Sequence, residues 1–191
     1  MSSKYDYWQW PKAINEEEIK NINNICETKI DESVSDYRSP PPAGEEPLIK
    51  TSKVGAVNWL YLKSPLHGIW EVWMMVNQEQ FGLDLYGILD RTYVNYNVYD
   101  SSNRGEYETH TDGSSFLVED LKLTAMVNIS EEPYEGGKFC MFTDGKMRDV
   151  DMFDNPGSSI IFKSWIPHKV TPVTKGVRKT LSVWFSGPRL R

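Results

Sequence analysis

The sequence predicts a mainly β fold, an antiparallel sandwich or barrel, with helices gathered in the N-terminal part and packed on one side. Three observations predict it. Apolar residues keep helical spacing in two stretches of the first 82 residues, they alternate in short runs from residue 83 onward, and clusters of turn-forming residues separate those runs. Many short strands after a helical segment bury their apolar faces as a doubled or closed sheet backed by the helices. The 191 residues suffice for one domain with a single sizeable core. It divides into a helical support, about 1–82, and a β core, about 83–187.

Each element has a local reason. Asn15 before Glu16, Glu17 and Glu18 has the form of a helix N-cap followed by an acidic first turn, which suits the positive end of the helix dipole. Ile19, Ile22, Ile25 and Cys26 then fall on one side, so a helix is predicted over 15–29. A second is predicted over 65–81, with Pro65 in its first turn and Gly82 as its C-cap. Its stripe of Leu66, Ile69, Trp70, Trp73 and Met74 reads as core against a sheet. Between the helices, residues 33–53 are polar and proline-rich. They read either as a surface connection or as a lip over a site, since long loops in compact domains are often lids. Strands are predicted at 91–99, 121–129, 138–142, 158–162, 168–171 and 178–185, where β-branched and aromatic residues alternate between turn clusters such as Asp154-Asn155-Pro156-Gly157.

Composition removes several classes of function. A formal net charge of −6 with dispersed basic residues offers no patch for a nucleic acid. No apolar run is long enough to span a membrane, and the N-terminal residues lack the apolar core of a secretory signal. Cys26 falls on the apolar side of a predicted helix and Cys140 in a predicted core strand, which reads as two buried, reduced thiols. A cytoplasmic location is the expectation.

The chemistry concentrates in two segments. His110 and Asp112 are two residues apart, and in extended backbone residues i and i+2 face the same way, so both can converge on one ion. His168 would join them from a separate strand. Two imidazoles and one carboxylate form the ligand set of a non-haem Fe(II) centre that keeps coordination positions open. Zinc is the chief alternative for this donor set. A zinc hydrolase would want a positioned general base such as His-Glu-x-x-His, which is absent. Beyond the turn Thr174-Lys175-Gly176, Arg178 returns toward the level of His168 and offers a permanent cation for an anion. Strand parity places Arg178, Thr180, Ser182 and Trp184 on an interior face, with Leu181, Val183 and Phe185 outward under the helices.

His110-x-Asp112, the Glu135–Phe139 run, the stretch from His168 to Arg178, and Trp184 occur in an order and spacing that resembles the Fe(II)/2-oxoglutarate-dependent oxygenases. The branch most resembled is the prolyl 4-hydroxylase-like one, with its bacterial and phage-encoded members. The resemblance covers residues 90–187 and the N-terminal helices more loosely. It implies a double-stranded β-helix, or jelly roll, with the helices packed on one sheet. It also implies iron held by His110, Asp112 and His168, with 2-oxoglutarate as cosubstrate, O2 as oxidant and ascorbate as a candidate reductant. The C5 carboxylate would rest on Arg178, which is charged and grips carboxylates bidentately. Thr180 would add a hydroxyl unless it is an ordinary strand threonine. Tyr99 would contact 2-oxoglutarate, and Tyr107 and Trp184 would line the substrate cleft; core packing is the alternative for each. Gly136 and Gly137 would allow a tight turn into a strand. Asp112 favours hydroxylation over halogenation, because related halogenases lack this carboxylate. The implied reaction hydroxylates an unactivated C–H, releasing succinate and CO2. A prolyl residue of a peptide or protein is the leading substrate, with another amino acid or small molecule as the alternative. A jelly-roll binding module without turnover is the second class, disfavoured because all four residues are retained. Oligomeric state stays open.

Overall fold

The structure is a computed structural model, and it describes residues 5–33, 50–112 and 120–189. In chain order its elements are β1 (Tyr7–Trp10), α1 (Glu16–Lys29), β2 (Lys53–Asn58), α2 (Trp59–Leu62), α3 (His67–Val76), β3 (Tyr93–Asp100), β4 (Tyr107–His110) and β5 (Asp120–Asn128). They continue as β6 (Glu135–Gly136), β7 (Phe139–Thr143), β8 (Lys146–Asp149), β9 (Ser159–Lys163), β10 (His168–Val170), β11 (Val173–Lys175) and β12 (Val177–Gly187).

The first helix forms where capping chemistry directs it. The Glu18 backbone N–H donates to Asn15 Oδ1 at 3.0 Å, and Glu18 Oε2 accepts from the Asn15 N–H at 2.7 Å. This reciprocal pair satisfies two amides that the helix start would otherwise leave open. The second helical stretch departs from expectation. Residues 63–66 form turns instead of a helix start, α3 begins at His67, and the ladder widens into a π-turn over Asn77–Phe81. Gly82 closes it in the left-handed region at φ 64. The same stretch begins earlier than predicted with α2, directly after a strand.

Two antiparallel sheets face each other. The larger has the order β1-β9-β5-β12-β3-β2, the smaller β4-β10-β7-β8, and β11 pairs with β6 in a separate ribbon. This is the double-stranded β-helix, helices on the outer face of the large sheet. Strands β1 and β2 lie inside the predicted helical support and form the two edges of the large sheet. β1 is only four residues long, too short for alternation to register. β2 contains Gly55, which reads as a turn; a Cβ there would come 2.9 Å from Ile30 Cδ1, so glycine lets the end of α1 pack on the strand.

The parity reading of β12 holds. Leu181, Val183 and Phe185 join Leu123, Ala125 and Val127 in the cluster that buries Ile19, Ile22, Cys26, Ile69 and Trp73 beneath the helices. Trp70 packs on Phe185 at 5.2 Å between ring centroids, and the buried Trp73 indole donates to Ser159 Oγ at 3.0 Å. Asn23 pins α1 to the sheet, donating to Ile129 O at 2.7 Å. The opposite face of the sheet meets the small sheet around Phe139, Met141, Phe153 and Phe162, a second apolar cluster that walls one side of the site. Both cysteines are free and buried, as expected, and burial pushes each thiol up to about 12. Among the described residues no helix is long and apolar enough to cross a membrane.

Candidate active site

β4 ends at His110 and β10 begins at His168, and the two strands pair antiparallel with these residues in register. Asp112, just past the end of β4, is fixed by its own backbone N–H, which donates to Ser164 O at 2.9 Å. The result brings together one donor atom from each of His110, Asp112 and His168 within 4.8 Å of one another. His110 Nε2 lies 3.7 Å from Asp112 Oδ1, and His168 Nε2 lies 3.6 Å from Asp112 Oδ2. Among the described residues this is the group of His, Cys, Asp and Glu arranged to hold an ion.

Neighbouring groups aim these donors. His110 Nδ1 sits 2.7 Å from Glu108 O, and His168 Nδ1 sits 2.9 Å from Ile166 O. Hydrogen bonds from Nδ1 to those carbonyls leave both Nε2 lone pairs free for a metal. Thr124 Oγ1 donates to Asp112 Oδ2 at 2.7 Å and lies 3.0 Å from Ser164 Oγ, so the carboxylate is oriented from behind. Tyr107 stacks on His110 with centroids 3.6 Å apart, and Phe162 meets His168 edge-on at 4.8 Å. Burial, and then the His168 charge, push His110 down to about 4, against the pull of Asp112. A neutral imidazole is the form that ligates metal.

Arg178 is the second feature. It is wholly buried on β12, opposite Tyr99 of β3. Among the described residues its Nε, Nη1 and Nη2 make no hydrogen bond, and neither does the buried hydroxyl of Thr180 two residues on. The guanidinium carbon lies 5.3 Å from the Tyr99 ring and 5.6 Å from the Phe153 ring, contacts that offset its burial only in part. A buried cation without a hydrogen-bonded partner is costly, so this pocket has the chemistry of an anion site. The paired glycines make room for it. Gly136 and Gly137 have φ of 71° and 59°. A Cβ on Gly137 would come 3.0 Å from Arg178 Cδ and 2.8 Å from Val173 Cγ2, while one on Gly136 would collide with the Pro172 carbonyl.

A cleft of about 100 Å³ opens beside the metal-type cluster, and Tyr99, Tyr107, Ser182 and Trp184 line it with the three candidate ligands. Arg178 and Thr180 are not on its lining, and Tyr99 joins the two regions. Of the residues singled out in the sequence, the three metal candidates thus share one point, Tyr107 and Trp184 share the cleft, and Arg178 and Thr180 lie buried on β12, with the guanidinium by the Tyr99 ring. His67, set aside in the sequence, lies exposed in α3 against Glu71 at 3.4 Å. The proline-rich stretch read as a possible lip falls mostly on 34–49, outside the described residues.

Sequence reasoning missed several neighbours. Thr124 and Ser164 orient Asp112 but sit inside ordinary strand and turn patterns. Lys50 lines the cleft, donates from Nζ to Asn97 Oδ1 at 3.1 Å and lies 4.6 Å above the Tyr107 ring. Burial pulls its ammonium down to about 8, opposed by Asp112. A usable signal was present in β3, where Asn95 and Asn97 occupy inward positions that an apolar core would not choose.

The model of the 2OG-Fe(II) oxygenase superfamily matches residues 94–186, the span that carries all of these site residues except Lys50. That span, just under half of the chain, is what this superfamily's model matches. Its members use Fe(II), 2-oxoglutarate and O2, and the residues here fit that demand: a two-histidine, one-carboxylate cluster for the metal and a buried guanidinium for an anion. The chain resembles solved structures over nearly its whole length. A Pseudomonas putida prolyl-4-hydroxylase aligns at TM-score 0.69 and 18% identity, covering 98% of this chain and 95% of that one. The viral collagen prolyl hydroxylase of Paramecium Bursaria Chlorella virus-1, in its 2-oxoglutarate complex, aligns at 0.70 and 16%, covering 96% and 97%. A Trichoplax adhaerens prolyl hydroxylase, in complex with a peptide fragment of the hypoxia inducible factor oxygen degradation domain, aligns at 0.70 and 15%, covering 95% and 84%. At these identities the likeness is one of fold. No curated protein matches the chain.

Proposed function

We propose that this oxygenase hydroxylates an unactivated C–H, that of a prolyl residue in a peptide or protein, with His110, Asp112 and His168 as the metal ligands. Arg178, assisted by Thr180, holds the C5 carboxylate of 2-oxoglutarate. Tyr107 and Trp184 form walls of the substrate cleft, and Tyr99 stands between cleft and cosubstrate pocket. The observation that carries this reading is the buried guanidinium of Arg178, without a hydrogen bond among the described residues, on the large sheet facing the small sheet that presents the two histidines of the metal-type cluster. Its fork of donors, without a hydrogen bond among the described residues, matches a carboxylate's geometry.

Bound iron and 2-oxoglutarate supply the oxidising chemistry, in which the cosubstrate is converted to succinate and CO2. The protein groups bind and orient. The Nδ1 hydrogen bonds fix both imidazoles, Thr124 fixes the carboxylate, and the phenylalanines around His168 keep that side of the cluster dry. Prolyl substrates are supported by the fold shared with several prolyl hydroxylases.

The test is anaerobic binding of Fe(II) and 2-oxoglutarate, followed by succinate release with proline-containing peptides. His110→Ala, Asp112→Ala and His168→Ala should each remove essentially all turnover while circular dichroism stays native, because the chemistry belongs to the cofactor. Normal turnover in any one of them removes the metal assignment.

A further inference from the structure

Lys50 differs from the ion-paired lysines of this protein. Lys63, Lys138, Lys163, Lys175 and Lys179 each meet a carboxylate within 4.0 Å. Lys50 meets none among the described residues; the one hydrogen bond its ammonium makes among them is to the neutral side-chain oxygen of Asn97, and Tyr107 lies beneath it. Asn97 is committed as well, since its amide donates to Ser182 Oγ at 3.1 Å. The ammonium therefore stands at the cleft held by a neutral scaffold, with lone donor capacity left over. On the same cleft, Trp184 has a buried indole N–H without a hydrogen bond among the described residues. Trp184 pairs in register with Thr124, the residue that orients Asp112, so it stands beside the metal-type cluster.

Charge balance says what these donors await. With a divalent ion, Asp112, dianionic 2-oxoglutarate and Arg178, the inner site is formally neutral. Lys50 then remains as an uncompensated positive charge, drawn out of water where the reacting substrate would lie. A neutral substrate would leave it unpaired, whereas a carboxylate would pair with it and could accept from the indole. We infer that Lys50 and Trp184 together form a carboxylate subsite for the primary substrate, so that this oxygenase selects substrates presenting a carboxylate close to the hydroxylated carbon. This inference rests on the proposed oxygenase reading and narrows its substrate class. The carboxylate can be the α-carboxylate of a free amino acid, a peptide C-terminus, or an acidic side chain next to the target residue.

The experiment uses matched pairs: free L-amino acids against their amides, proline-containing peptides with free against amidated C-termini, and Asp-Pro or Glu-Pro peptides against their Asn and Gln counterparts. Substrate-stimulated succinate release is measured with wild type, Lys50→Met and Lys50→Arg. The acid of one pair class should be preferred at least tenfold in kcat/KM by wild type, with the loss mainly in KM. Lys50→Met should erase the preference, and Lys50→Arg should retain it because the charge survives. A second readout needs no turnover. In the zinc-loaded protein with 2-oxoglutarate, the indole N–H resonance missing from Trp184→Phe should shift when the preferred acid is added and stay put with its neutral partner. Equal use of acids and neutral partners, or no stimulation by any acid, overturns the carboxylate subsite. A loss of 2-oxoglutarate affinity in Lys50→Met as large as that in an Arg178 variant overturns it too, by assigning Lys50 to the cosubstrate. Failure of wild type to bind 2-oxoglutarate at all sinks the oxygenase reading itself.

Discussion

Replacing Arg178 by Met separates a binding cation from a structural one, because the two roles predict different effects on stability and on cosubstrate binding. The guanidinium is wholly buried, and none of its three nitrogens is hydrogen-bonded among the described residues. In the free protein it is already a buried charge without a hydrogen bond among the described residues, softened by the Tyr99 and Phe153 rings at 5.3 and 5.6 Å and by the nearby Asp154 carboxylate and Tyr134 hydroxyl. Each such ring contact is worth about 0.5–2 kcal/mol. Swapping a poorly paired buried ion for an apolar side chain of similar length is commonly neutral or stabilising by about 1–4 kcal/mol. The loss of two ring contacts roughly cancels that gain, so the Met variant should unfold in urea at a little-changed midpoint, within about 2 kcal/mol of wild type. Under the proposed function, 2-oxoglutarate would supply the missing partner, and removing one side of such a pair costs about 2–5 kcal/mol, or roughly thirtyfold to several thousandfold in affinity. At 2-oxoglutarate about one hundredfold above its wild-type dissociation constant, wild type should gain about 2.7 kcal/mol while the variant gains about 0.9 kcal/mol or less. Urea melts with and without 2-oxoglutarate, under nitrogen with Fe(II) present, measure both effects. A variant destabilised by more than about 2 kcal/mol with cosubstrate affinity intact would refute the reasoning and make Arg178 a packing residue.

Two neighbouring residues should show how the site is held. Thr124→Val removes the hydroxyl that donates to Asp112 Oδ2 at 2.7 Å, so metal affinity should fall about 10–100-fold with little change in unfolding midpoint, read by competition with a fluorescent chelator. Gly137→Ala puts a Cβ 3.0 Å from Arg178 Cδ at a φ of 59°; it should destabilise by about 1–3 kcal/mol and weaken 2-oxoglutarate binding together with stability. Unchanged cosubstrate affinity in the alanine variant would show that Arg178 does not depend on the glycine turn.

Local chemistry and period fixed much of this protein before any contact was known. Asn15 with Glu18 determines the start of α1, because a capping box needs only residues three apart. The alternation of β12 determines which of its side chains turn inward, because a strand has no other period. His110, Asp112, His168 and Arg178 were legible for the same reason: donors of the right kind stood at spacings that strands can bring together. The rest depended on partners distant in sequence. β1 and β2 are strands because β9 and β3 offer them edges, while their own residues carry too short or too broken a pattern. Thr124 and Ser164 become orienting groups only when β5 and the turn after β9 fall behind Asp112. Lys50 is one lysine among many in the sequence, and only the meeting of the chain before β2 with β3 and β4 strips it of water and leaves it facing the cleft. Spacing along the chain decides which atoms can converge; burial, which decides what an unpaired charge is for, exists only once the sheets have closed.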